Sequence, residues 1–352
     1  MPHDHVTTSN SNAYHGDVHP LTVEVTRNGI VESRHRGSAV IVDVSGSVQD
    51  AWGDSRQPTY PRSAIKAIQA LPMVESGAAA AAGFSDAEIA LACSSHNGEV
   101  GHTETASSML HKLGLGEEDL ECGSHWPYHE ETARKMAKYD VAPSQLHNNC
   151  SGKHCGMLAL AKHLGGPTKG YVNQTHGVQQ SILGAMEQMC GVDLSDVQPG
   201  IDGCSAPNWP IPLENLAYGF ARIADPKDLP QARADAIGWI KRAVFANPFM
   251  VAGTGRFCTE VMKILGDKAF IKTGAEGVFC ASLPEYGLGI ALKCDDGATR
   301  GSETMMAALL RHVGVLDDAH LDAMAPWLNP QLKNRANKTV GDIRPASNWL
   351  PF

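Results

Sequence analysis

The segment Ala269-Phe270-Ile271-Lys272-Thr273-Gly274 is followed by Val278-Phe279-Cys280-Ala281-Ser282 and then by Gly287-Leu288-Gly289-Ile290-Ala291-Leu292-Lys293. Short runs of apolar, β-branched and aromatic residues, joined by turns containing glycine or proline, read as three neighbouring strands. The other end of the chain carries the same signal. Leu21 to Arg27 alternates, Asn28-Gly29 makes a tight turn, and Ala39 to Val44 is again β-branched. Between the ends the periodicity is helical: from about Pro61 to Gly83, and in windows near 103–114, 129–139, 152–164, 175–190 and 231–246. A last helix is expected over Thr299 to Val313. Strands at both ends with helices between them lack the alternation of a doubly wound parallel sheet. The expected class is therefore α+β, an antiparallel sheet flanked by helices. A mostly helical lobe over about 61–265 would be inserted into a sheet drawn from about 21–60 and 266–352, all within one domain.

Composition narrows the function. The 352 residues are 43% hydrophobic and 19% charged, enough to bury a large core. A formal net charge of -9, with no run of lysine and arginine, argues against nucleic acid as a partner. The longest apolar stretch, Ala64 to Gly83, contains Lys66, Gln69, Pro72, Glu75 and Ser76, so it suits a buried helix and not a membrane span. Met1 to Pro20 is rich in His, Ser, Asn and Asp without the apolar centre of a secretory signal, and is expected to be a flexible arm. The odd number of cysteines, nine, points to free thiols in a reducing cytoplasm.

Three short motifs carry chemistry. Arg62-Ser63-Ala64-Ile65-Lys66 sets a hydroxyl and an amine three residues apart at a helix start, on one face. A serine becomes a nucleophile only beside a base, and lysine serves as that base only where burial or a neighbouring cation lowers its pKa. Alone, the motif reads more readily as a capping serine at an exposed helix start. Ser95-His96-Asn97 and Lys272-Thr273-Gly274 follow in order. Together the three resemble the Ser-x-x-Lys, Ser-x-Asn and Lys-Thr-Gly set of the serine β-lactamases and penicillin-binding proteins.

Two further stretches, Asn148-Asn149-Cys150-Ser151-Gly152-Lys153-His154-Cys155-Gly156-Met157 and Asp202-Gly203-Cys204-Ser205-Ala206-Pro207, resemble the rhizobial, or type II, L-asparaginase family. That resemblance spans about residues 21 to 350. It implies a serine β-lactamase-like fold, a homodimer, and hydrolysis of L-asparagine to L-aspartate and ammonia through a serine acyl-enzyme. It also implies Ser63, Lys66, Ser95 and Lys272 as the catalytic group, and zinc held near them by Cys150, Lys153 and Cys204. By themselves Cys150 and Cys155 read more readily as ordinary buried thiols, and it is the family resemblance that reverses this. A glutaminase or broader amidase would use the same chemistry, and a non-catalytic binding protein could keep the fold and the pocket.

In this scheme Lys66 is the neutral base, Lys272 the charged amine that lowers its pKa, and Ser95 the bridge between them. Arg62 and Asp202, of opposite sign, are candidates for gripping the α-carboxylate and α-ammonium of the substrate. His96 either polarises the site or is a hydrogen-bonded core histidine. Gly253-Thr254-Gly255-Arg256 lacks the third glycine and the acidic residue of a dinucleotide site, so no nucleotide cofactor is expected.

Overall fold

The computed structural model describes residues 14–15 and 18–350. Its sheet is organised by one long strand, Ile30–Asp43. The first half of that strand pairs with Leu21–Arg27 across the Asn28-Gly29 turn. In its second half Ala39 to Val42 pairs with Leu288–Cys294 and also with Val48–Trp52, so those two strands lie on opposite edges of it. The full order is Gln331–Lys333, Thr339–Pro345, Leu21–Arg27, Ile30–Asp43, Leu288–Cys294, Val278–Leu283, Phe270–Thr273, with Val48–Trp52 off that path. All of these pairings are antiparallel. The class is α+β, as expected. Of the arm expected over residues 1–20, Tyr14–His15 runs parallel to Ala51–Trp52, and residues 1–13 and 16–17 lie outside the described residues.

Two glycines let helices press on the sheet. A Cβ on Gly289 would stand 1.9 Å from the carbonyl oxygen of Ala217 and 2.3 Å from the nitrogen of Ala221. The helix Leu213–Ala224 therefore lies directly on that strand. A Cβ on Gly301 would stand 2.8 Å from Cys294 Sγ, which brings in the helix Thr299–Val313. Residues 289 and 294 have opposite parity along their strand, so the two helices cover opposite faces. Lys272 pairs with Cys280 and Cys280 with Ala291, which puts Lys272 on the Gly289 face. On that side the helix Lys66–Glu75 is buried along nearly its whole length, and Ser151–His163 buries all but its last two residues. Such all-round burial marks the interior of the helical layer. Among the described residues no helix is long and apolar enough to cross a membrane.

Several elements depart from the sequence reading. The strand expected at Ala39 begins at Ile30, because its polar half, with Glu32, Arg34 and Arg36, hides the pattern. Leu213–Ala224 was not anticipated: it follows Pro210 and Pro212 and carries Gly219, all of which read as breakers. Gly219 is small because Cys190 Sγ and Ile68 Cδ1 would each lie 3.0 Å from a Cβ there.

Gly289→Ala should lower unfolding free energy by about 3 kcal/mol, since the clash is with helix backbone. Gly184→Ala, in an exposed turn of Gly177–Cys190 with nothing within 4 Å, should raise it by about 0.5–1 kcal/mol. Urea midpoints of the two variants check both signs.

Candidate active site

Ser63 sits in a short 3-10 turn, Arg62–Ile65, that leads straight into Lys66–Glu75. Arg62 has φ +50°, a conformation costing a non-glycine residue about 1–3 kcal/mol, and such strain gathers at functional sites. Its side chain is anchored: Nε and Nη2 both reach Asp202 Oδ1 at 2.8 Å. Across from it Ser205, also at positive φ, closes the turn that carries Asp202 and Cys204. The Lys272-Thr273-Gly274 strand end abuts Ser63. A Cβ on Gly274 would lie 2.6 Å from the Pro61 carbonyl oxygen and 3.2 Å from the Ala64 nitrogen, so only glycine allows this approach.

The two lysines differ in a way the sequence did not indicate. Lys66 is buried, and its Nζ donates to the Ser94 carbonyl at 2.6 Å, Cys150 Sγ at 3.0 Å and the Asn149 carbonyl at 3.5 Å. Three acceptors around one nitrogen are what an ammonium requires. Lys272 is fully buried and, among the described residues, donates only to its neighbour's carbonyl, Thr273, at 2.9 Å. Burial first, and then the charge of Lys66, lower its pKa to about 7. The neutral amine expected at Lys66 is therefore better supplied by Lys272. Ser95 Oγ accepts from Asn149 Nδ2 at 2.9 Å and bonds to neither lysine, so the expected bridge is absent from this arrangement. Among the described residues Ser63 Oγ makes no hydrogen bond.

His96 is a core residue. Gly98 N donates to its Nδ1 at 3.0 Å, so Nε2 carries the hydrogen and donates to Ser151 Oγ at 2.9 Å. Burial, then His102 and Lys66, hold its pKa well below the usual range. The ring stacks on His102, which stacks on Phe249. With both nitrogens satisfied, His96 has nothing to offer a substrate. Arg62 and Asp202, expected to grip the substrate, lie against each other through Asp202 Oδ1, while Arg62 Nη1 and Asp202 Oδ2 make no hydrogen bond among the described residues. Tyr128, more than half exposed, stands near Cys150, Arg256, Asp202 and Arg62: burial and then the Cys150 thiol raise its pKa. It stacks on His125, whose Nε2 accepts from Asn149 N at 2.9 Å. Asn149 and Tyr128 were missed from sequence, although Asn149 lies within the motif quoted above.

Cys150, Lys153 and Cys204 do come together. Lys153 Nζ donates to Cys204 Sγ at 3.1 Å. The hydrogen bond from the Cys150 thiol, and then Lys153, hold Cys204 far below the ordinary thiol range, while Cys150 is pushed up by sharing that hydrogen and by burial. Burial opposes the charge on Lys153, but the Cys204 and Cys150 sulfurs and Asp202 outweigh it and keep its pKa raised. The next residue, His154, is buried with Nε2 unpartnered among the described residues. Two sulfurs and an amine form a donor set that fits zinc, provided Lys153 gives up a proton that its neighbours hold. A second group, His35 Nδ1, Cys294 Sγ and an Asp296 oxygen, lies within 4.8 Å of one another elsewhere in the fold. There Arg300 Nε donates to His35 Nε2 at 3.0 Å, so Nδ1 holds the hydrogen and donates to Asp296 at 2.7 Å. A cation on Nδ1 would force that hydrogen onto the nitrogen Arg300 already faces. The group reads as a hydrogen-bonded brace.

The lowered pKa of Lys272 has a stability consequence. The folded state binds fewer protons than the unfolded state from about pH 7 to the ordinary lysine range, so stability rises with pH across that window. Lys272→Met removes the group. Its stability relative to the parent should fall by roughly 2–3 kcal/mol between pH 7 and pH 9, read from urea midpoints at each pH.

Among solved structures, a β-lactamase from Mycobacterium bovis is similar over 78% of this chain and 94% of that chain, at 11% identity and a TM-score of 0.43. No curated protein matches significantly. The family model described as L-asparaginase II matches residues 23–345, which takes in every motif around Ser63, and the chain accordingly belongs to the L-asparaginase II family, asparaginase-type hydrolases.

Proposed function

We propose that the chain is an L-asparagine amidohydrolase in which Ser63 is the nucleophile and Lys272 the base. One observation carries the reading: a serine on a strained turn abuts a strand whose buried lysine has a pKa of about 7. An amine of that pKa is half neutral at physiological pH, which suits general-base work. Ser63 Oγ attacks the side-chain amide carbon and its proton passes to Lys272. The tetrahedral oxyanion is met by backbone N–H groups at the start of the 62–65 turn, donors worth about 2.7–4 kcal/mol each in such sites. Lys272 returns the proton to the departing ammonia, leaving an aspartyl ester on Ser63. Water, deprotonated by the same amine, releases aspartate and restores the hydroxyl. Lys66 holds Ser94, Asn149 and Cys150 around the turn. Zinc, when held by Cys150, Cys204 and Lys153, would supply Lewis acidity at the wall of this pocket.

Ammonia release from L-asparagine, with L-glutamine in parallel, tests the reading. Ser63→Ala should lose about a thousandfold or more in kcat while keeping its urea midpoint. The acid limb of kcat should fall near pH 7, because Lys272 is the base only when neutral; the charged or titratable groups acting on it are Lys66, Cys258, Arg256 and Cys150. Full activity in Ser63→Ala sinks the mechanism, and release from glutamine alone sinks the substrate.

For the metal, one zinc per chain is expected by elemental analysis. Cys204→Ser should lose it, and affinity in the parent should weaken as pH falls, because Lys153 must deprotonate to bind. Undiminished zinc in Cys204→Ser would rule out this donor set.

A further inference from the structure

The three segments that bring Ser95, Tyr128 and Asn149 to the site also bring Gly98, His129 and His147 to a separate cavity of about 350 Å³. The helices Val100–Lys112 and Glu130–Lys138 supply much of its remaining wall. The segments are in close contact. Gly98 has φ +75°, and a Cβ there would lie 3.0 Å from the His147 carbonyl oxygen and 3.2 Å from Pro127 Cα. His129 N donates to the Asn97 carbonyl at 3.2 Å. Asn97 Oδ1 in turn accepts from Arg256 Nη1 at 2.9 Å, and Glu99 accepts from Thr254 N and Thr254 Oγ1, each at 2.8 Å. Two residues beyond His147, Asn149 Nδ2 donates to Ser95 Oγ at 2.9 Å. The same stretches of backbone are thus wall to both the cavity and the Ser63 pocket.

The cavity is lined by groups that the fold leaves unused. Val100, Tyr139 and Val141 are 61%, 64% and 49% exposed, and Met136 with them is buried. Exposed apolar side chains gathered at one concavity, and not scattered singly, mark a binding surface. Ser144 N donates to His147 Nδ1 at 3.1 Å, so Nε2 carries the hydrogen, and it has no acceptor among the described residues. Lys135 Nζ likewise makes no hydrogen bond or ion pair among the described residues, although Glu131 stands one turn before it on the same helix. An ammonium and an imidazole N–H without acceptors, set against an apolar and aromatic wall, match a carboxylate on an apolar body. The volume lies within the range of small-molecule sites, about 300–1,000 Å³.

We propose that this cavity is an effector site, separate from the Ser63 pocket, which takes a small carboxylic acid with an apolar or aromatic body, its carboxylate on Lys135 and His147. Binding there is independent of the amidohydrolase reading; its effect on turnover rests on that reading and travels through the shared wall, from His129 to Asn97 and Arg256.

Isothermal titration calorimetry of 3-phenylpropanoate into the full chain should show saturable binding that persists in saturating L-aspartate, the product that fills the Ser63 pocket. Lys135→Gln should weaken it about fivefold, the worth of an exposed charge pair. Val100→Asp places a carboxylate at the cavity and suits a helix start, so affinity should fall about tenfold or more while the urea midpoint is kept. 2-Phenylethylamine, the same body with an ammonium in place of the carboxylate, should not bind. L-Phenylalanine distinguishes the sources of the ligand: tighter binding than 3-phenylpropanoate, lost in Glu131→Gln, marks an amino acid, and equal or weaker binding marks a simple carboxylic acid, both in keeping with the site. In ammonia release from L-asparagine, 3-phenylpropanoate should change kcat about twofold or more in the parent and leave Val100→Asp unaltered. The proposal is overturned if neither acid binds, if L-aspartate displaces them, if affinity is unchanged in both variants, or if binding leaves turnover as it was. Self-association that Val100→Asp abolishes, with neither acid bound, shows the face to be covered by a second copy and overturns it too. Failure of the amidohydrolase reading appears instead as no ammonia release from the parent, with the calorimetry still deciding the site.

Discussion

Burying two amines in one apolar site imposes a choice on this fold, because charge on both would be repelled and left without water. Lys66 receives three acceptors; Lys272 receives one backbone carbonyl and has a pKa of about 7. Everything that supplies Lys66 with acceptors therefore also serves to set Lys272. The Ser94 and Asn149 carbonyls come from the two loops that carry Ser95 and Cys150, so loop placement and the pKa of Lys272 are one constraint. The same logic repeats a few ångströms on. Lys153 Nζ donates to Cys204 Sγ; the sulfurs and Asp202 hold the pKa of Lys153 up against burial, and Lys153 in turn helps to hold that of Cys204 down.

The fold was legible where one physical cause dominates. Leu21–Arg27 and Thr299–Val313 have the boundaries read from sequence, because alternation and helical period are local signals. The strand ending at Lys272 and Thr273 was readable for the same reason, and Gly274 has a reason for being there that a sequence can only hint at: the backbone of the Ser63 turn fills the place of its side chain. What stayed hidden depended on distant partners. Lys66 finds its carbonyls 28 and 83 positions away, and no spacing within Arg62-Ser63-Ala64-Ile65-Lys66 reveals them. His96 and Arg62 look functional by residue type, yet the ring is satisfied by Gly98 and Ser151 and the guanidinium lies against Asp202. Arg256 was visible in the chain as part of a failed nucleotide motif, and only the clamp from Asn97 and Glu99 gives it a direction.

Strain and close approach then act together on Ser63. The turn before Ser63 holds Arg62 at positive φ, and a turn so strained persists only if something outside it opposes relaxation. Asp202 does so from one side through two donors on a single oxygen. From the other side, Gly274 closes against Pro61 and Ala64 and leaves the turn no room to swing toward the strand. Asp202 sits in the same turn as Cys204, so the brace on Ser63 and the sulfur cluster share one short segment, 202–206. A change in the cluster would be felt first at Asp202, then at Arg62, and so at the hydroxyl. Ser63 and the Cys150, Lys153 and Cys204 cluster are in this sense one mechanical unit, with the Arg62 and Asp202 pair as its joint.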